Sequence, residues 1–201
     1  MKKAFIVLLM FLFTLAAGAQ ATAKPGFRAG ANFSKFSHTD FDFKTDFYVG
    51  GFIALKLTDF YSMQPEITYS RQGAIADLRY YDDNTGTITR FEQDIKLEYL
   101  SLAFVNRFNF YNLDMHVGPT LDIELQSNVP TNIELDLGVT MGVGYTLPFG
   151  LTIEARWKRG LLDVLESDDY NDSLNFVEDN NANNVFQLGL AYSFNAKGAS
   201  K

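Results

Sequence analysis

Two histidines and no cysteine bound the chemistry open to this chain. Thiol catalysis, zinc ribbons and a lipid-modified N-terminal cysteine are excluded. His38 lies in Ser37-His38-Thr39-Asp40, and His116 lies two residues from Asp114. Hydroxyl, imidazole and carboxylate are the ingredients of a lipid-modifying site, but a triad is defined by geometry and neither spacing specifies one. His116 reads as a hydrogen-bonded interior residue and His38 as an exposed loop residue. Asp82-Asp83-Asn84-Thr85-Gly86 is rich in oxygen ligands yet lacks the EF-hand spacing. Gly142-Val143-Gly144 belongs to an alternating segment, not to a phosphate loop. No catalytic residue, cofactor or metal site is assigned. What remains is ionic: 24 acids against 17 bases, a net charge of −7, which speaks against a broad nucleic-acid surface.

Placing these charges requires the elements that carry them. Residues 1–19 form an address: a positive Met1-Lys2-Lys3, an apolar run from Ala4 to Ala17, and small residues at Ala17-Gly18-Ala19. This order is that of a cleaved secretory signal, and the run is too short for the roughly 20 residues of a spanning helix. Removing Lys2 and Lys3 takes the net charge from −7 to −9. No later stretch suits a membrane helix, so any crossing must use strands.

Period-two alternation dominates the rest. In 113–126, Leu113, Met115, Val117, Leu121, Ile123 and Leu125 oppose Asp114, His116, Gly118, Thr120, Asp122, Glu124 and Gln126. The segment 133–147 repeats the pattern, as does 185–194. Further strands are expected at 26–36, 46–57, 61–71, 96–108 and 150–160. In 96–108 the phase is ambiguous, because Leu97, Tyr99 and Val105 compete with Leu100, Leu102 and Phe104. Tight connections follow strands two, four and six, and long ones (37–45, 72–95, 161–183) follow strands one, three and seven. The expectation is an all-β, eight-stranded antiparallel up-and-down transmembrane β-barrel over 20–194, with a short periplasmic tail at 195–201.

The polar face separates a membrane barrel from a soluble one. It mixes charges with Gly118, Gly138, Thr140, Gly142, Gly144, Gly189 and Ser193, which suits the crowded interior of eight strands. Aromatics gather near strand ends on the other face, as interfacial girdles do. The phases put Arg28, Lys56, Glu66, Arg107, Asp114, Asp122, Glu124, Glu134, Asp136, Glu154, Arg156 and Lys158 inside, where charges must pair into a plug. Shear, and so partner identity, is not legible. Over 37–46, 72–94 and 162–183 the long connections and their margins hold fifteen acids and only Lys44, Arg79 and Arg90 as bases; solvated surface is the simple reading, with divalent ions bridging to lipopolysaccharide phosphates as the alternative.

Gln64-Pro65-Glu66-Ile67-Thr68-Tyr69-Ser70-Arg71-Gln72-Gly73-Ala74, with Gly50-Gly51-Phe52 and Glu98-Tyr99-Leu100, resembles the PorT-like outer-membrane β-barrels of Bacteroidetes. The likeness spans the mature chain as strand order and loop rhythm. It implies an eight-stranded outer-membrane barrel; the namesake's role in type IX secretion does not carry to every member. Ala103 departs from the proline common there. Phe186, Leu188, Leu190, Tyr192 and Phe194 resemble the C-terminal signal read by the barrel-assembly machinery, although Asn195 to Lys201 follow it. The expected protein is a non-enzymatic outer-membrane barrel of structural or surface-interaction type, with termini periplasmic and acidic loops extracellular. Its expected partners are outer-membrane lipid, lipopolysaccharide and the assembly machinery, with no nucleic acid. The alternatives are an accessory subunit of an envelope secretion or uptake complex, a lipid-modifying enzyme, and a soluble ligand-binding barrel.

Overall fold

The computed structural model describes residues 22–37, 41–82, 87–131, 135–162 and 182–194, with the backbone alone for 77–82 and 87–90. The signal segment, His38, Glu134, most of 161–183 and the tail 195–201 lie outside the described residues. Eight strands form among those described: β1 (Thr22–Phe36), β2 (Asp42–Lys56), β3 (Tyr61–Asp82), β4 (Thr87–Phe110), β5 (Leu113–Ser127), β6 (Leu135–Thr146), β7 (Leu151–Gly160) and β8 (Asn183–Ser193). Each pairs antiparallel with its sequence neighbours, and β8 closes on β1.

The register fixes the barrel's shape. Partners lead from Thr22 through Lys56, Ser62, Arg107, His116, Gly142, Arg156 and Gln187 to Asn32. One circuit therefore returns to β1 ten residues above its start. Ten residues of stagger at about 3.3 Å, against eight spacings of about 4.8 Å, give a strand tilt of roughly 40°. The interior left by such a barrel is only about as wide as the side chains that fill it.

Side chains follow the pleat. Phe27, Ile67, Met115, Leu137, Ile153 and Leu188 point outward and are exposed, while Arg28, Glu66, Asp114, Glu154 and Gln187 alternate with them and are buried. The ambiguous phase of β4 resolves in favour of both readings. Leu97, Tyr99 and Val105 are buried inside, and Phe104 is outside with Leu100 and Leu102. Both faces of β4 are apolar because Leu97 and Tyr99 join Phe36, Ala74, Ala76 and Ile95 in a buried cluster inside the end with the long connections, against which Phe41 and Val129 pack.

One expected loop is instead a hairpin. Pairing between β3 and β4 runs unbroken from Tyr61↔Phe108 to Asp82↔Thr87, through 72–95. The β2 ladder reaches only Ile75 and the β5 ladder only Leu97, so among the described residues the distal hairpin has just its own partner. Charges at Asp77, Arg79, Arg90 and Glu92 mask the alternation there, but Leu78, Tyr80, Tyr81, Ile88 and Thr89 favour a strand. At the other end Gly150, with φ of 91°, makes the tight turn after Pro148-Phe149 that only glycine adopts easily.

The exposed face is tested by depth. Leu188, 55% exposed at mid-height, should cost about 2–4 kcal/mol as Leu188→Arg in lipid, whereas Leu135→Arg, at the strand end, should cost about 0–1 kcal/mol. Thr140→Ser, inside, should cost no more than about 1 kcal/mol. Equilibrium folding into vesicles measures all three, and a tolerated Leu188→Arg beside an unfolded Thr140→Ser would reverse the two faces.

Candidate functional site

Closing the barrel brings charges from three strands to one level. β1 carries Arg28, β3 Glu66, and β7 both Glu154 and Arg156. Arg28 donates from Nε to Glu154 Oε1 (2.8 Å), from Nη1 to Glu66 Oε2 (3.1 Å) and from Nη2 to Gln187 Oε1 (3.2 Å). Arg156 donates to both Glu66 oxygens and to Glu154 Oε2, each at 2.9 Å. Two guanidiniums and two carboxylates thus form a closed, fully buried lattice across the bore. Tyr48 roofs it, with its ring 4.4 Å from the Arg28 guanidinium carbon and its hydroxyl 3.4 Å from Glu154. Gly30 and Gly189, paired on β1 and β8, leave the space for that hydroxyl, which a Cβ at Gly189 would strike.

The lattice extends toward the short-turn end. Gln64 donates to Glu66 (2.7 Å) and accepts from Arg107 (2.7 Å), and Arg107 holds Asp114 through two bonds of 3.0 Å. His116 Nδ1 lies 2.9 Å from the same carboxylate. Toward the other end, Gln187 donates to Asn32, Asn32 and Gln72 to Ser70, and Asn183 to Gln72. A side chain-to-side chain network therefore runs nearly the length of the lumen. Beside it, Lys158 donates to Asp122 at 2.5 Å, and Asp136 accepts from the Leu162 amide at 3.3 Å. A cavity of about 20 Å³, walled by Arg156, Lys158, Thr68, Thr120 and Thr140 among others, has room for about one water molecule. Among the described residues Arg156 Nε and Thr120 Oγ1 have no protein partner.

Of the twelve residues expected inside, Arg28, Glu66, Arg107, Asp114, Asp122, Asp136, Glu154, Arg156 and Lys158 are buried in the bore. Glu124 is half-buried and accepts from Thr131 at 3.1 Å. Lys56 is a correction. It has the inward phase but ends β2 at the short-turn rim, is exposed, and pairs with Asp59 at 2.6 Å. That hydrogen bond and the lysine charge hold the Asp59 carboxyl below its ordinary range. Glu134 lies outside the described residues. Lys44, inside and bound to Asp94 at 2.5 Å, lies in 37–45, where the sequence pattern predicts a loop. Gln64, Gln187, Asn32 and Tyr48 were missed because a neutral side chain at an inward phase carries no special signal. Phe186, Leu188, Leu190 and Phe194 are exposed on the outward face of the last strand with Tyr192 half-exposed between them, and Phe27 packs on Tyr192 and Phe194.

Among the described residues this geometry shows pairing alone. His116 is 3% exposed, and its carboxylate neighbour is already held by Arg107. Among the described residues no three His, Cys, Asp or Glu side chains are grouped to hold a metal ion. Removing one partner should leave a buried charge unmatched. Arg156→Ala is therefore expected to destabilise the folded barrel by about 3–5 kcal/mol, while Lys56→Ala leaves the unfolding midpoint unchanged. Denaturant unfolding in lipid reads both; equal midpoints for the two variants would remove the lattice from the account.

Several solved structures resemble this fold. Neisserial surface protein A aligns at a TM-score of 0.51 and 15% identity over 86% of this chain and 99% of its own. The attachment invasion locus protein Ail of Yersinia pestis aligns at 0.48 and 11%, over 86% and 99%. OprG of Pseudomonas aeruginosa aligns at 0.47 and 11%, over 89% and 99%. At these identities the likeness to the first concerns the fold alone. None of the curated proteins matches the chain. The model of the outer membrane protein beta-barrel domain matches residues 5–194, and the chain belongs to that family.

Proposed function

We propose that this outer-membrane barrel is closed along its bore, has no catalytic activity, and works through the surface it presents at its long-connection end. The observation that carries the reading is the lattice of Arg28, Glu66, Glu154 and Arg156, which joins β1, β3 and β7 across the lumen. Above it the apolar cluster around Phe36 and Leu97 fills the bore again. A channel would need an open, hydrated path, and eight strands leave no width for one beside these side chains.

The orientation follows the usual asymmetry of such barrels, with both termini and the short turns periplasmic and the long acidic connections extracellular. The cleaved signal of residues 1–19 and kinship with the PorT-like barrels belong to the same reading. So do contacts with lipid, with lipopolysaccharide and, during biogenesis, with the barrel-assembly machinery. The distal β3–β4 hairpin favours surface interaction, since its outer strand edges have no partner in β2 or β5 and such edges accept added strands. An accessory role in an envelope complex would use that same hairpin. The lipid-modifying alternative draws no support from the described residues, because His116 is sequestered in the bore.

Single-channel recording tests the closed bore. Purified protein in planar bilayers should give no stable porin-like conductance, and Glu154→Ala should lower stability without opening a channel. A large open-state conductance from the unmodified protein would overturn the reading.

A further inference from the structure

Among the described residues, outward-facing cations at the long-connection end fall into two sets. Arg71 lies 3.7 Å from Asp46 and 3.6 Å from Glu98, and Lys96 lies 3.2 Å from Asp94. Lys35 and Arg159 have no carboxylate partner among the described residues. These two are brought together by closure. Lys35 on β1 and Arg159 on β7 are both register partners of Asn184 on β8. Ser34, Phe36, Lys158, Val185 and Asn183, which alternate with this row, are buried, so the row faces the lipid side. Two strand spacings put the Lys35 and Arg159 backbones roughly 10 Å apart. Two long side chains converge easily across that gap.

The row beneath is aromatic. Phe33 and Trp157 are both partners of Phe186, two residues, or about 7 Å, nearer mid-membrane. Phe43 continues the patch, 6.4 Å from Phe186 by ring centroid, and Lys35 Nζ lies 4.9 Å over the Phe43 ring. Aromatic rings of this kind sit at the level of lipid headgroups, and unpaired cations just above them meet phosphate. Arginine can give two parallel N–H donors to phosphate oxygens, and lysine adds a point charge.

We propose that Lys35 and Arg159 clamp the phosphate of an anionic lipid in the leaflet at the long-connection end, with Phe33, Phe43, Trp157 and Phe186 beneath its headgroup. The proposal rests on the membrane reading of the barrel but not on the closed bore. Charge complementarity selects the occupant: among the described residues the two cations have no acid partner, whereas Arg71 and Lys96 have theirs.

Trp157 is the only tryptophan in the chain and reports on the site directly. Protein is reconstituted in phosphatidylcholine vesicles containing either brominated phosphatidic acid or brominated phosphatidylcholine, and Trp157 quenching is compared. About a tenfold preference for the anionic lipid is expected. Lys35→Gln with Arg159→Gln should bring it close to one, while Arg71→Gln keeps it. Heat-modifiable gel mobility checks that each variant has folded. Equal quenching by both lipids in the unmodified protein, or a preference that survives the double substitution, would overturn the proposal while leaving the barrel intact. Loss of the preference on adding millimolar inorganic phosphate would overturn the lipid as the source. Absence of quenching by either lipid would instead strike at the membrane reading.

Discussion

Closure is the constraint on which everything else depends. A backbone in hydrocarbon has no water to satisfy its N–H and C=O groups, so a sheet there can have no open edge. The pairing of β1 with β8 removes the last edges, and the ten-residue stagger of that ring sets tilt and radius together. A narrow radius then dictates the interior. Every inward position must be filled by a side chain or left to glycine, and every inward charge must find its opposite within reach.

The chain meets this demand differently along the axis. At mid-height and below, arginine–carboxylate pairs do the filling, and Arg28, Arg107 and Arg156 each engage at least one acid and one further acceptor oxygen. Their planar fork suits this task, since one guanidinium can bridge several strands. Nearer the long connections the filling becomes apolar, with Phe36, Ile95 and Leu97. Chemistry that could face a partner lies on the outside, at the projecting hairpin and along the lipid-facing rim.

Much of the fold was legible because pleat and burial act together. Strict alternation in β5 and in the last strand reports a sheet with one polar and one apolar face, and uneven loop lengths report a meander. Where alternation failed, the cause is local. In β4 the inner face is itself apolar at Leu97 and Tyr99, so both phases looked alike. Between 72 and 95, charges at a hairpin outside the apolar band carry no burial signal, although their backbone ladder continues. Inward phase found nine buried ionic residues but misjudged Lys56, since phase says nothing of height and this residue sits at the rim. Partner identity was out of reach altogether. Arg28 meets Glu154 across 126 residues of sequence only because the register makes β1 and β7 near neighbours around β8.

Glu66 and Arg156 hold each other inside the closed barrel. A double-mutant cycle on Glu66→Gln and Arg156→Met, measured by unfolding in lipid, isolates that term from the cost of each change alone. Bidentate contact at 2.9 Å in a buried bore predicts a coupling in the upper part of the usual range, about 1.5–3 kcal/mol. Additivity within about 0.5 kcal/mol would contradict it, for the two side chains would then not meet in the folded barrel.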